Sequence, residues 1–354
     1  MTRSLVPAGC VLLLAQPALA QDPAEAEAPA MEAAPAEPEG AAPVTPLDEP
    51  APPPADPAPA VLEPSADAAV VAPKPKPAPY SLPFQLRPVL ALNVVRLDTS
   101  IGFYENPASG ESGNAVASML LLSKKITDDF APLLRFGVVS NNPPEGAGDS
   151  AVNFLNPVIG AAYALTFGPE WKLGLFLGVA VPVGSGGGND PEPERGLANA
   201  TGIRVRSAMD NAMFAVNDFT VFPGVGLAYV AHGLTVQAEV TVLQLTRVRG
   251  DEAQPDKSKT NFTTGLHAGY FFAPWVSAAV ELRHQRWLST PKFVENDATD
   301  TLRDTTTVAF GPRFHAKLGE TLWMRPGISL TLPIDDPMQD SKYKIVQLDF
   351  PFPF

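Results

Sequence analysis

The chain ends in the stretch SKYKIVQLDFPFPF, residues 341–354. Two sets of side chains alternate along it, and the more apolar set ends in phenylalanines. Successive side chains of a β-strand point to opposite faces, so a period of two predicts a strand with one apolar face. The first set is Lys344, Val346, Leu348, Phe350, Phe352 and Phe354, and the second is Ile345, Gln347, Asp349, Pro351 and Pro353.

The same alternation recurs in segments of similar length from about residue 83 onward. About ten residues of alternating hydrophobicity is the length of a strand that crosses a bilayer. A run of about 18 apolar residues, which a membrane-spanning helix needs, does not occur after the amino terminus. The predicted strands lie near 86–103, 114–126, 130–140, 154–167, 171–183, 218–231, 234–247, 260–272, 275–288, 302–318, 321–333 and 342–354.

The connections between these segments alternate strictly between short and long. Five are tight turns rich in Gly, Pro and Asp, and six are longer and polar; the longest covers residues 184–217. Transmembrane β-barrels have short turns at one end and longer loops at the other. The alternation therefore predicts an all-β fold for residues 83–354, an antiparallel transmembrane β-barrel of about twelve strands with both ends on the same side.

The terminal amphipathic strand that stops at Phe354 resembles the closing strand of Gram-negative outer-membrane β-barrel proteins. The resemblance implies localisation in the outer membrane, contact with its lipid, and reading of Phe354 by the barrel assembly machinery. Within that class the chain is most similar to uncharacterised, transporter-like barrels of about twelve strands. The fatty-acid channels of 14 strands are a poorer match, because a very polar Pro-rich tail would have to act as their plugging amino-terminal segment.

Two segments precede the predicted barrel. Residues 1–20 have a basic start at Arg3, a short apolar centre and an Ala-Leu-Ala end, which predicts a signal peptide cleaved after Ala20. Residues 21–80 hold 17 of the 40 prolines, many acidic residues and almost no aromatics. Such a composition cannot bury a core and predicts disorder. In the periplasm this segment is expected to be an inert tail or a tether to peptidoglycan or another periplasmic partner.

Composition excludes several classes of protein. The formal net charge of -13 argues against a nucleic-acid partner. The single cysteine, Cys10, lies in the predicted leader, which excludes disulfides, cysteine-based zinc sites and cysteine nucleophiles from the mature chain. No cofactor is predicted.

The alternation also assigns a face to each charged side chain. A lipid-facing Arg or Lys costs about 2–4 kcal/mol at mid-bilayer, so the charged faces are expected to line the lumen. Small residues such as Gly174 and Gly226 face inward on the opposite side, where we expect free volume. A wide lumen with a basic wall favours anions, whereas the same charges can also form a paired network that fills the barrel. The predicted lumen residues are Arg135, Arg283, Arg313, His315, Lys317, Arg325, Glu239 and Glu281.

The longest connection, residues 184–217, has a helix-like composition in its second half. Folded inward it would constrict the lumen, and folded outward it would cap the surface. Its run Gly184-Ser-Gly-Gly-Gly188 is not a phosphate-binding loop, since no Gly-Lys-Ser/Thr follows.

The sequence therefore favours a channel or transporter for small solutes, and the basic wall favours anionic ones. The alternative is a closed structural or surface barrel whose loops or tail bind a partner. A lipid hydrolase built on His284 with Ser289 or Thr290 lacks a nucleophile at a defined spacing and an orienting acid. A metal site formed by His267, His315 and Glu281 rests on strand parity alone.

Overall fold

The structure, a computed structural model, describes residues 79–354. The predicted signal peptide and nearly all of the Pro/Ala/Glu-rich segment therefore lie outside the described residues. Most of the chain from residue 94 is in strands. These are β1 Val94–Glu105, β2 Ser112–Ser123, β3 Phe130–Asn142, β4 Ala151–Phe154, β5 Val158–Phe167, β6 Trp171–Ala180, β7 Asp218–Ala231, β8 Leu234–Arg247, β9 Ser258–Ala273, β10 Val276–Trp287, β11 Asp304–Phe314, β12 Ala316–Lys317, β13 Trp323–Met324, β14 Gly327–Pro333 and β15 Lys344–Pro353.

Three helices lie in the connections. Two are in the longest loop, α1 Pro193–Val205 and α2 Asn211–Phe214, and α3 Lys292–Glu295 lies between β10 and β11. In the part of the chain from residue 79 on, none of the helices is long and apolar enough to span a membrane.

The strands close into a single antiparallel barrel. The first strand pairs with β2 on one side and with the last strand, β15, on the other, in a register that joins Val94 to Pro353 and Phe103 to Lys344. The strands β4 and β5 follow each other along the chain, and both pair with β3. Together they form one strand of the wall. Leaving aside the small β12–β13 hairpin, the wall has twelve strands. The predicted twelve-stranded all-β barrel is confirmed.

The wall has one apolar and one polar face, as predicted. Along β8 exposed Val236 and Val240 alternate with buried Gln237 and Glu239. In β15 Ile345, Gln347, Asp349 and Pro351 are the buried set. A closed sheet with an apolar outer face leaves no unpaired edge, which is the condition for crossing a bilayer with strands.

Because all neighbours are antiparallel, the six connections predicted to be long share one end of the barrel and the other five share the opposite end, where the connection between β11 and β14 carries the β12–β13 hairpin. We call these the loop end and the turn end. Aromatic side chains gather at the turn end, where the rings of Trp171 and Tyr229 are 5.2 Å apart and those of Tyr270 and Phe272 are also 5.2 Å apart. Tyr163 and Phe167 are exposed on the same outer surface.

Two predicted strand boundaries are wrong. The first strand was expected at 86–103, but β1 begins at Val94 and the residues before it run inside the barrel. Their apolar pattern reflects burial in the lumen, and Pro83 and Pro88 lack the N–H group that a wall strand donates. The strand expected at 321–333 is interrupted, because β14 starts only after Pro326, and β13 pairs with β12 in a separate hairpin.

Candidate functional site: the barrel lumen

The lumen is occupied from the turn end by residues 80–92, which we call the plug. Phe84 and Leu86 are each 1% exposed, although neither belongs to a strand or helix. Inward glycines of the wall make room for the plug: a Cβ atom on Gly174 would lie 2.9 Å from the Cα of Val89, and one on Gly226 would lie 2.8 Å from Val89 Cγ1. The free volume expected beside these glycines is therefore filled.

Side chains of the wall satisfy the backbone of the plug. The Glu281 carboxylate accepts hydrogen bonds from the amides of Phe84 and Gln85, the latter at 3.2 Å, and Glu239 accepts one from the Arg87 amide at 2.6 Å. Gln347 Nε2 donates to the Phe84 carbonyl at 2.8 Å. An irregular segment needs such partners when it is buried. The Pro-rich tail is too polar to act as an amino-terminal plug, as expected, but the apolar stretch just after that tail fills the role.

The longest loop enters the lumen from the loop end, which decides between its two predicted positions. Arg206, directly after α1, is fully buried and donates hydrogen bonds to Asp98 and to Ser100 Oγ of β1, the latter at 3.0 Å. Its Nε also donates to Asp210 at 2.8 Å. This part of the loop therefore constricts the lumen, and we call residues 184–217 the inner loop.

A break in the wall anchors the inner loop. Between β4 and β5 the chain leaves the ladder, and buried Asn156 turns inward. Its amide N–H donates to the Met213 carbonyl at 2.9 Å, its Nδ2 donates to the Ala215 carbonyl at 2.8 Å, and its Oδ1 accepts from the Gly184 amide at 2.9 Å. We missed this site in the sequence, although Asn-Pro inside a predicted strand is a signal for such a break.

Plug and inner loop meet near the middle of the barrel. Gln85 Nε2 of the plug donates to the Arg206 carbonyl of the inner loop at 2.5 Å. A cavity of about 110 Å³ remains between the two segments. The plug and the inner loop thus narrow the lumen from both ends.

The charges inside the barrel form a paired network and not a bare basic wall. Arg283 Nη2 lies 2.7 Å from Glu281, and Arg96 and Arg313 both bind Asp349, at 2.7 and 2.5 Å. Each of these groups is at least nine-tenths buried, where an unpaired charge would be costly. The remaining pairs are Arg87–Glu239, Arg135–Asp98, Arg135–Asp210, Arg206–Asp98, Arg206–Asp210 and Lys259–Asp218.

Three predicted lumen residues stand apart from this network, at the turn end. Lys317 lies on β12 and is exposed beyond the wall, so its expected lumen position is wrong; the chain leaves the barrel after β11, and strand parity no longer applies. Half-buried Arg325 has its guanidinium 5.7 Å from the Trp323 ring and has no carboxylate within 4 Å in residues 79–354. His315 Nε2 shares a hydrogen bond of 2.9 Å with Ser277 Oγ.

His315 lies just beyond the end of β11 and is not a cation at pH 7. Burial, followed by the positive charges of Arg325 and Arg313, lowers the pKa of His315 to about 4. Its ring stacks on Phe271 with centroids 4.6 Å apart. His315 therefore acts as a neutral packing and hydrogen-bonding group.

The catalytic and metal hypotheses gain no geometric support. His284 shares a hydrogen bond of 3.0 Å with Thr306, whereas Ser289 Oγ accepts one of 2.9 Å from the Thr260 amide. His267 Nδ1 lies 3.3 Å from Glu281. Among residues 79–354, no three or more His, Cys, Asp or Glu side chains are grouped so as to hold a metal ion.

No family model matches the chain, and no curated protein matches it. Solved structures do resemble it. An outer membrane channel from Pseudomonas putida F1 shares 15% identity, covers 77% of this chain and 98% of its own, and gives a TM-score of 0.46. The KdgM porin in complex with disordered oligogalacturonate shares 10% identity over 74% of this chain and 99% of its own, with a TM-score of 0.42. An anion-selective porin from Comamonas acidovorans shares 9% identity over 74% and 98%, with a TM-score of 0.32.

The chain has the fold of an outer-membrane β-barrel. Its own closed wall, apolar outer face and charged interior establish this, independently of the weak likenesses. Two segments of the chain, the plug and the inner loop, lie inside this barrel.

We expect Arg206→Gln to loosen the inner loop, because Asp98 and Asp210 then keep only Arg135. Breaking a buried ion pair costs about 3–5 kcal/mol. Cleavage of a segment follows its open population when reclosing is fast. Chymotrypsin should therefore cut within residues 193–214 roughly 100-fold faster, since about 1.4 kcal/mol is tenfold, as measured by mass spectrometry of the folded barrel.

The matched control is Arg195→Gln on the same inner loop. Arg195 pairs with Glu192 near the surface, and exposed pairs contribute about 0–1 kcal/mol. Its Nη1 also donates to the Val152 carbonyl at 3.2 Å and to Asn153 Oδ1 at 3.3 Å, but it pairs with no buried acid within residues 79–354. Equal cleavage rates in the two variants would contradict the assigned role of Arg206.

Proposed function

We propose that this protein is an outer-membrane channel for small solutes whose lumen is closed, in the conformation described, by the plug and the inner loop. The observation that carries the proposal is the way the wall pairs its own charges. Asp349 would remain paired with Arg96 and Arg313, and Glu281 with Arg283, if the plug and the inner loop were removed. A wall that is already paired can be wetted and opened at little electrostatic cost.

We further propose that the channel prefers anions. Support comes from the turn end, where Arg96 and Arg313 share a single carboxylate and the adjacent Arg325 has none within 4 Å in residues 79–354. This local excess of positive charge would attract anionic solutes. Arg135 and Arg283, with Glu239 and Glu281, would extend the polar path through the lumen, while Lys317 has no part in it.

The proposed channel function also implies where each part of the protein would lie. The apolar outer face would contact outer-membrane lipid, the turn end would face the periplasm, and residues 21–80 would extend there toward peptidoglycan or a periplasmic partner. No enzymatic activity is proposed. The aromatic carboxy-terminal residue Phe354, which is exposed at the turn end, would be the signal for the barrel assembly machinery.

A second candidate function is a closed structural barrel, and the filled lumen favours it. In that case the plug would be permanent packing, and the loops or the tail would bind a partner. Removal of residues 21–78 would then alter envelope attachment without changing solute uptake.

Deletion of residues 79–92 tests the channel directly. We expect the deleted barrel to give discrete conductance steps in a planar bilayer that are several-fold larger than those of the full mature chain, because the plug no longer fills the turn end. The control is an equally long deletion, residues 51–64, which leaves the plug in place. Silence from both proteins, each shown to be folded by heat-modifiable migration, would overturn the channel and favour the closed barrel.

Ion selectivity tests the anion preference separately. In the barrel without the plug, Arg313→Gln combined with Arg325→Gln should shift the reversal potential in a salt gradient toward cations. One charge at ~4 Å in water contributes about 1 kcal/mol, so removal of two charges should lower the anion-to-cation permeability ratio by roughly thirtyfold. Lys317→Gln is the matched control and should leave the ratio unchanged. An equal shift in that control would show that the effect is one of overall charge.

The assembly role of Phe354 is tested by its removal. We expect deletion of Phe354 to lower the amount of heat-modifiable barrel in the outer membrane, whereas Phe354→Trp, which keeps a terminal aromatic ring, should retain most of it. Refolding of both proteins into detergent serves as the control, since the signal acts on the assembly machinery. Equal outer-membrane levels of both variants would remove this role.

A further inference from the structure

The cavity between the plug and the inner loop, which we call the chamber, has a mostly apolar lining. On the plug side it is bounded by Val89, and on the inner-loop side by Met209 and Met213. The rings of Phe176 and Phe222, 5.5 Å apart, form part of its wall. A solute in the chamber would therefore be enclosed by both of the segments that close the lumen.

Two arginines bring positive charge to this apolar space. The Arg87 guanidinium lies 4.5 Å from the Phe176 ring centre, and its Nη1 donates to Thr241 Oγ1 at 2.7 Å. Its Nε and Nη2 make no hydrogen bond within residues 79–354. Arg135 also lines the chamber and is held by Asp210 and, at 3.6 Å, by Asp98.

Cations and carboxylates are unequally covered in this cluster. The side chains of Arg87 and Arg135 are 26% and 18% exposed, whereas those of their partners Glu239 and Asp210 are only 6% and 5% exposed. The open side of each ion pair is thus the guanidinium side. Glu239, Asp210 and Asp98 also line the chamber, but each already pairs with an arginine, so the groups left to bind a ligand are N–H donors of the more exposed guanidinium groups.

We propose that the chamber is a binding site for a compact organic monoanion: a single carboxylate, or a similar group, carried on an apolar body. The carboxylate would accept hydrogen bonds from Arg87 and Arg135, and the body would pack on Phe176, Phe222 and Met213. An apolar cavity of about 150 Å³ takes up benzene, so the chamber, which is about 110 Å³ and not fully enclosed, can take a body of at most one ring. This inference rests on the proposed channel function and names its solute class.

Binding of an anion in the chamber would also give a reason why two separate segments, the plug and the inner loop, lie in the lumen. The plug shuts the chamber toward the turn end, and the inner loop shuts it toward the loop end. Because Arg87 belongs to the plug and Arg135 to the wall, an anion between them would link plug and wall. Movement of the plug would then withdraw one of the two arginines and release the anion toward the turn end.

The test uses the full mature chain in detergent micelles with benzoate as the probe. Protonated benzylamine has the same body and the opposite charge, and acetate has the same charge without the body. We expect isothermal titration calorimetry to give at least tenfold tighter binding of benzoate than of either analogue. Equal binding of benzoate and benzylamine, or of benzoate and acetate, would overturn the proposal.

Variants locate the binding. Arg135→Gln should weaken benzoate binding about tenfold, as expected for the loss of a hydrogen bond to a charged group. Ala162→Leu fills the chamber without changing any charge and should weaken it similarly, which keeps the test valid if Arg135→Gln folds poorly. Arg286→Gln removes an exposed cation that pairs with Asp304 outside the lumen and should have no effect. Unchanged binding in both chamber variants would place the benzoate elsewhere and refute the site.

The outcome is separable from that of the channel proposal. Conductance without benzoate binding would leave a channel and remove the chamber as its site. Chamber-dependent benzoate binding by a barrel that stays silent in bilayers after deletion of the plug would retain the site and remove the channel.

Discussion

Closure of β1 against β15 is the constraint on which the rest of this structure depends. In hydrocarbon each unpaired backbone group costs several kcal/mol, so a sheet can cross a bilayer only when no edge is left open. The register from Val94–Pro353 to Phe103–Lys344 meets that condition. Once the wall is closed, alternate side chains must point into a confined space, and the polar set of every strand is brought together there.

That confinement explains the composition of the lumen. Strands far apart in the chain carry complementary charges to one place: Arg96 and Asp349, 253 residues apart, form an ion pair of 2.7 Å. Burial makes such pairing necessary, because an isolated charge in this space would be costly. The side chains that form ion pairs within the wall also bind the backbone of the plug. Glu281, for example, accepts hydrogen bonds from the amides of Phe84 and Gln85.

The two closing segments differ in how they are held. The inner loop is tied by charge, through Arg206 between Asp98 and Asp210, and by the Asn156 anchor in the wall. The plug is held mainly by backbone hydrogen bonds and by apolar contacts such as Val89 against glycine positions. Only one of its side chains, Arg87, pairs with a buried acid. Ionised side chains of the wall also bind the backbone of the plug, since Glu281 and Glu239 accept from its amides and Arg96 and Arg313 donate to the Pro83 carbonyl.

The sequence by itself determined the wall of this protein. Period-two alternation, the strict succession of short and long connections and the inward position of Arg135, Arg283, Arg313, Glu239 and Glu281 are local properties, because side-chain direction in a strand depends only on sequence parity. Where the chain leaves the wall, sequence parity no longer predicts side-chain position. Residues 86–92 were predicted as strand but belong to the plug, and Lys317 lies outside the barrel. Only the tertiary structure decided that the lumen is filled and that its cations are paired. The contacts responsible, such as Phe84 with Glu281 across 197 residues, exist only after the strands have closed.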